Sequence, residues 1–162
     1  MGSPKVTESE VIEVLLGQAD EALEARVRKA ANQDLRVAGL YARWAGRYTI
    51  PVFSNIAKSE TMHVYEVQLL IDRYGLSANR IGNASSGYAD PVIQSLHDSL
   101  AVQGDASLNG ALEAGLAVEE RDIADLDLAL ANTTRADIIQ VYFSLRQGSV
   151  NHRSAFLRQL GR

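Results

Sequence analysis

The fold is decided by residues 53–76, which read FSNIAKSETMHVYEVQLLIDRYGL. Their apolar side chains recur every three or four residues, which is the spacing of one face of an α-helix. These apolar positions are Phe53, Ile56, Ala57, Val64, Val67, Leu70, Ile71 and Tyr74. Glu60 lies in the middle of this series and His63 follows three residues later, so both share the apolar face. We therefore predict a long helix that turns a carboxylate and an imidazole toward the core.

Prolines and glycines indicate where the predicted helices begin and end. Proline is tolerated at the first position of an α-helix but disfavoured further in. Pro51 therefore starts the helix quoted above and Gly75 ends it, while Asp90 followed by Pro91 starts a shorter helix that ends near Gly104. Along the whole chain, we predict helices over about 19–45, 52–74, 91–102, 107–131 and 136–160, with a loop over 77–87.

The predicted order of helices indicates an all-α fold. Two helical hairpins joined by a long crossover are typical of a ferritin-like four-helix bundle, whereas a simple up-down bundle has a short second loop. We therefore predict an all-α, ferritin-like four-helix bundle whose long crossover contains a short extra helix. The bundle domain is expected over residues 19–162, after an N-terminal helical extension over residues 1–18.

The composition restricts the classes of function that the chain can perform. The chain has 162 residues, a formal net charge of −4 and no cysteine. Without cysteine it forms no disulfide, thiolate zinc site or iron–sulfur cluster. A mildly acidic chain also lacks the clustered basic surface of a nucleic-acid-binding protein, and its apolar runs are too short to cross a bilayer. We expect a cytoplasmic protein that binds neither nucleic acid nor membrane, unless an export signal has been trimmed from its start.

The other long helices also place polar side chains on or close to their apolar faces. These side chains are Asp34, Glu119, Asp122 and His152. Asp34 and Glu60 lie equally far from the first predicted turn, near Arg47, so we expect them at one level of the bundle. Burying several carboxylates together is costly unless a cation compensates their charge. We therefore predict a metal site formed by these residues together with Glu60 and His63, and the alternative is a polar layer that sets the helix register.

Three separated segments of the chain resemble the motifs of one family. Residues 53–76 resemble its second-helix signature, residues 117–130 (AVEERDIADLDLAL) its third-helix motif, and residues 138–161 (IIQVYFSLRQGSVNHRSAFLRQLG) its closing segment. On these motifs the chain resembles the ferritin-like family known as domain of unknown function 2202. The resemblance implies a ferritin-like fold, and many ferritin-like proteins bind pairs of iron ions and react with oxygen or peroxide.

The resemblance also carries the site over residue by residue. The matching positions are Glu60, His63, Glu119, Glu120, Asp122, Asn151 and His152. The chain departs from the family at Asp34, which stands seven residues before Tyr41 in place of the usual glutamate. It departs from ordinary ferritins at Ser149, where they have the glutamate of a second Glu-x-x-His pair. Asp122 is the residue that would supply the missing carboxylate, and the resemblance leaves open whether the site holds two metals asymmetrically, one metal or none.

The leading functional hypothesis is a carboxylate-bridged, non-haem di-metal protein that oxidises Fe(II) or a small substrate with oxygen or peroxide. The cofactor would be two iron ions, or an iron and manganese pair, because carboxylates with few imidazoles suit these metals better than copper. Glu60 would bridge the metals, and the further ligands would be Asp34, Glu119, His63 and His152. The alternative is a non-enzymatic helical bundle, an interaction or structural module with a degenerate metal site. A homodimer is compatible with either hypothesis.

Overall fold

The computed structural model describes residues 37–75 and 91–162 of the chain. Within these residues the regular structure is α-helical and no strand occurs, so the all-α prediction is confirmed. The helices are α1 (described over residues 37–47), α2 (Pro51–Arg73), α3 (Pro91–Ala106), α4 (Leu108–Ala131) and α5 (Ala136–Gln159). Outside the described residues lie the predicted extension over 1–18, the beginning of the first helix with Asp34, and the predicted loop over 77–87. No helix in the described part of the chain is long and apolar enough to cross a bilayer.

The ends of α2 and α4 follow from residues that are local in sequence. Pro51 takes the first position of α2, where its missing N–H costs no intrahelical hydrogen bond. Gly75, just after the end of α2, has φ of 62°, a left-handed conformation that glycine adopts readily. Ser107 caps α4, because its side-chain oxygen accepts a hydrogen bond from the backbone N–H of Gly110 at 2.9 Å. The bundle helices therefore begin and end within a few residues of the positions predicted from the sequence.

Helix α3 is longer than predicted: it extends to Ala106, so Gly104 lies inside it rather than at its end. A Cβ atom at Gly104 would lie 2.2 Å from Cε2 and Cζ2 of Trp44, so a larger residue has no room here. The hydroxyl of Tyr48 also donates a hydrogen bond to the Gly104 carbonyl oxygen at 2.6 Å. Gly104 thus allows the backbone of α3 to approach the indole ring of α1, and the helix continues past it.

The core consists of two apolar clusters with a polar layer between them. The larger cluster is built around four aromatic side chains, Tyr41, Trp44, Phe53 and Phe156. The smaller cluster comprises Val67, Leu70, Ile71, Leu126, Ile138, Tyr142 and Leu145. Along α2, α4 and α5 the buried polar residues fall between these two sets, and they are Glu60, His63, Glu119, Asp122, Ser149 and His152. The fold therefore places the predicted site residues of these helices at one level, with apolar packing on both sides.

We expect the Ser107→Ala variant to lose about 1 kcal/mol of unfolding free energy, because the first turn of α4 loses its side-chain acceptor. Ser99→Ala, at an exposed position inside α3, is the matched control and should stay within about 0.5 kcal/mol of the wild type. Urea unfolding of the three proteins measures the difference. An equal loss in both variants would contradict the capping role of Ser107.

Candidate metal centre

The polar layer has Glu60 of α2 at its centre. One oxygen of its carboxylate, Oε1, lies 2.8 Å from Nδ1 of His152 on α5. The other oxygen, Oε2, lies 3.0 Å from Nδ1 of His63, one turn along the same helix. Glu119 of α4 is the third residue of this group, and its Oε2 lies 3.5 Å from Nδ1 of His152. Each oxygen of Glu60 therefore faces a different imidazole.

Three polar atoms of this layer lie close together but form no hydrogen bonds with one another. Glu60 Oε1, Glu119 Oε2 and His152 Nδ1 lie within 4.8 Å of one another. All three are buried, and none makes a hydrogen bond of acceptable geometry with any described residue. Buried polar atoms are nearly always hydrogen-bonded, so three such atoms in one place require an explanation. Two carboxylate oxygens and one imidazole nitrogen that are buried this close together form a donor set that a metal ion could bind.

The donor atoms of this triad fit a metal ion by distance and by chemistry. Metal–nitrogen and metal–oxygen bonds of about 2.1 Å that meet at 90–109° place neighbouring ligand atoms about 3.0–3.4 Å apart. The separations from His152 Nδ1 to Glu60 Oε1 and to Glu119 Oε2, 2.8 and 3.5 Å, bracket that range. Two carboxylates and one imidazole are ligands that iron, manganese and zinc accept. These three residues would therefore hold a divalent ion with little rearrangement.

The electrostatics of the triad also favour a cation. Burial alone would raise the pKa of Glu60, but its contacts with His152 and His63 hold this pKa below the usual value. Burial would lower the pKa of His152, yet the adjacent Glu119 and Glu60 raise it to about 9. The pKa of Glu119 is raised, chiefly by its burial, which is the direction expected for a carboxylate without a full countercharge. The two carboxylates have one imidazole between them at this position, so a cation would balance their remaining negative charge.

Tyr41 of α1 is a site residue that the sequence analysis did not single out. Its hydroxyl donates a hydrogen bond to Glu119 Oε1 at 2.5 Å, and it lies 3.4 Å from the carbonyl oxygen of Gly115. Burial and the neighbouring Glu119 raise the pKa of Tyr41 well above its ordinary value, so it remains a donor. The available signal was its position seven residues after Asp34 on the same predicted helix face.

Gly148 of α5 is the second residue that the sequence analysis missed. A Cβ atom at this position would lie 2.4 Å from Cε1 and 2.5 Å from Nε2 of His63. The imidazole ring therefore lies directly against the backbone of α5, and only a glycine leaves room for it. In the sequence Gly148 stands inside a long helical pattern, where an isolated glycine is tolerated, and the available signal was its place in the closing segment that resembles the family.

The remaining predicted site residues differ in how closely they approach the triad. His63 is buried and reaches the triad through its contact with Glu60 Oε2. Asp122 is buried in the same layer and acts electrostatically on Tyr41, but it is not one of the three converging residues. Ser149 is buried one turn before His152, on the same face of α5. Asp34 lies outside the described residues, so its part in the site stays a prediction.

Comparisons with known proteins agree with the resemblance noted in the sequence. The family described as an uncharacterized protein domain, DUF2202, matches residues 23–162. The uncharacterized protein MJ0754 of Methanocaldococcus jannaschii is 34% identical over 139 residues, which cover 85% of this chain and 72% of that protein. The crystal structure of the hypothetical protein MJ0754 from Methanococcus jannaschii is similar with a TM-score of 0.80 and 28% sequence identity, covering 99% of this chain and 85% of that one.

Proposed function

This chain belongs to the DUF2202 family of uncharacterized protein domains, and from that premise we propose that it is a ferritin-like di-metal protein. Its cofactor would be two iron ions or an iron and manganese pair, and Glu60 would be the residue that contributes to both metal positions. Its reaction is the oxidation of Fe(II), or of a small reduced substrate, by oxygen or peroxide. The observation that carries this proposal is the convergence of three buried ligand atoms from α2, α4 and α5 that make no hydrogen bond among the described residues.

The position of Glu60 supports two metal subsites rather than one. Its Oε1 faces His152 and Glu119, and its Oε2 faces His63. The first subsite would therefore have three protein ligands within the described residues, Glu60, Glu119 and His152. The second has Glu60 and His63, and its further carboxylate is expected from Asp34. With one oxygen facing each subsite, Glu60 is the residue that would contribute to both.

The residues around the site provide the conditions that such chemistry needs. When bound, the metal ions supply the electrons that reduce oxygen or peroxide. The carboxylates of Glu60 and Glu119 would stabilise the higher charge of an oxidised ion, and their burial would strengthen this stabilisation. The apolar clusters above and below the layer limit the access of bulk water. The donor set and its burial therefore both support redox chemistry with a small oxidant.

A second candidate function is a non-enzymatic bundle whose metal site is degenerate. Ser149 is the observation that favours it, because a neutral hydroxyl occupies the buried position one turn before His152. A serine adds no negative charge to the site, so it holds a second cation less strongly than a carboxylate would. In this case iron and chelators should leave the thermal stability unchanged.

An anaerobic Fe(II) titration followed by exposure to oxygen tests the proposed function. We expect about two Fe(II) ions to bind per chain and a ferric absorption band to appear once oxygen is added. His152→Ala should lose both signals, because the triad loses its imidazole. His97→Ala is the matched control, since His97 lies on α3 and contacts Asp98 rather than the polar layer. A wild type that binds as little iron as His152→Ala would contradict the proposal.

A further inference from the structure

One of the two carboxylate oxygens of Glu119 accepts a hydrogen bond from the hydroxyl of Tyr41. This hydroxyl donates to Oε1 at 2.5 Å, a short hydrogen bond of the kind made to a charged acceptor. The other oxygen, Oε2, is the one that converges with Glu60 Oε1 and His152 Nδ1. The two oxygens of Glu119 therefore have different partners, one a phenol and the other the candidate metal position.

The ring of Tyr41 is held so tightly that its hydroxyl has a defined position. It is fully buried, and its ring centroid lies 5.5–6.5 Å from those of three other aromatic rings, Trp44, Phe53 and Phe156. A Cβ atom on Gly115 of α4 would lie 2.5–2.8 Å from the ring of Phe156, so glycine lets this ring pack closely against α4. Because the phenol is fixed in this way, its hydroxyl determines the orientation of the Glu119 carboxylate that accepts its hydrogen bond.

We propose that Tyr41 is a positioning residue that restricts Glu119 to one metal-facing oxygen and so keeps a coordination position open for a small exogenous ligand. This inference rests on the proposed function and adds the role of a residue outside the ligand set. A carboxylate bound through both oxygens occupies two positions around an ion, whereas one bound through a single oxygen occupies one. Because Oε1 of Glu119 accepts the hydrogen bond from Tyr41, only Oε2 would be offered to an ion, and a second position would stay available for a small ligand.

The contacts of Tyr41 distinguish this role from simple core packing. A phenylalanine would make the same ring contacts with Trp44, Phe53 and Phe156, so packing alone does not require a hydroxyl. A buried hydroxyl carries a desolvation cost, which its hydrogen bond to Glu119 must offset. Partners of metal ligands commonly have this orienting function, and their removal costs about 10–100-fold in metal affinity or activity.

The test compares Tyr41→Phe with Tyr48→Phe, with Co(II) as the metal probe and azide as the small-ligand probe. Tyr48→Phe is the matched control, because its hydroxyl also donates one hydrogen bond, to the Gly104 carbonyl, but contacts no residue of the polar layer. Each protein is first saturated with Co(II), and azide binding is then followed by visible absorption. We expect Tyr41→Phe to bind azide at least about tenfold more weakly than the wild type. Its Co(II) absorption should also be weaker, because the coordination number rises when Glu119 chelates through both oxygens.

Three outcomes separate this inference from the proposed function. A weaker azide affinity in Tyr41→Phe together with wild-type behaviour of Tyr48→Phe would support the positioning role. Equal azide affinity and equal Co(II) spectra in all three proteins would overturn this inference and leave the proposed function standing. If the wild type binds no more Co(II) than His152→Ala, both proposals are overturned together.

Discussion

We expect a divalent metal to stabilise this protein and the Glu60→Gln variant to lose that stabilisation. Glu60 contacts both imidazoles of the polar layer and contributes one of the three converging ligand atoms. A glutamine keeps the size of the side chain but removes the negative charge that would bind the ion. At a free metal concentration of about 100 times Kd, binding stabilises the wild type by about 2.7 kcal/mol. For a chain of this size that raises Tm by about 5–10 °C, and we expect almost none of this rise in the variant.

Thermal unfolding with Fe(II) or Mn(II) under anaerobic conditions, and with a chelator, measures this effect. Glu66→Gln is the matched control, since Glu66 lies on the same helix but contacts Ser144 at the α2–α5 surface. The control should show the same metal-dependent rise in Tm as the wild type. If Glu60→Gln retained the full rise, Glu60 would not be a ligand. If the wild type showed none, the degenerate-site alternative would be favoured.

Gly148→Ala is expected to destabilise the protein, although alanine normally stabilises a helix relative to glycine. The added Cβ would lie 2.4 Å from Cε1 of His63, closer than two carbon atoms can approach. Relieving this overlap moves the imidazole away from Glu60 or shifts α5, and overpacking of this kind costs about 1–3 kcal/mol of unfolding free energy. Gly46→Ala is the control, because a Cβ there would meet no atom within 4 Å. We expect the control to gain about 0.5–1 kcal/mol, so the two substitutions should have opposite signs in urea unfolding.

A double-mutant cycle shows whether His63 is the cause of the loss. In a His63→Ala background the imidazole is absent, so Gly148→Ala should cost little or become favourable. Residues in contact commonly show interaction energies of about 0.5–3 kcal/mol in such cycles. A loss of the same size in both backgrounds would place the clash at another residue and contradict the role assigned to Gly148.

Much of the helical organisation could be predicted, because helix ends and helix faces depend on nearby residues. Pro51, Gly75 and Ser107 mark ends that the structure places within a residue or two of the expected positions. Gly104 is the exception in the described residues. A glycine at this position predicts the end of α3. The helix nevertheless continues past Gly104, which is required there because Trp44 of α1 packs against it. A local rule fails at this position because the reason for the glycine lies on another helix.

The candidate site also has features that the sequence predicts and features that it does not. The spacing of Glu60 and His63 determines that they share a helix face, and periodicity alone places Glu119 and His152 on buried faces of α4 and α5. Periodicity does not determine which atoms face each other across the bundle, because that depends on the rotation and separation of each helix. The sequence therefore did not indicate that the hydroxyl of Tyr41 donates a hydrogen bond to Glu119, a residue 78 positions away, at 2.5 Å.

The sequence by itself determined the helices, their buried faces and the level at which polar side chains interrupt the apolar core. These properties arise from hydrogen bonds and side-chain spacing within one or two helical turns, so they can be read locally. Only the tertiary structure decided that Glu60 lies between two imidazoles, that Tyr41 holds one oxygen of Glu119, and that Gly148 makes room for His63. These contacts join different helices, and their geometry is set by close packing of the whole bundle, in which differences of less than an ångström decide which atoms meet.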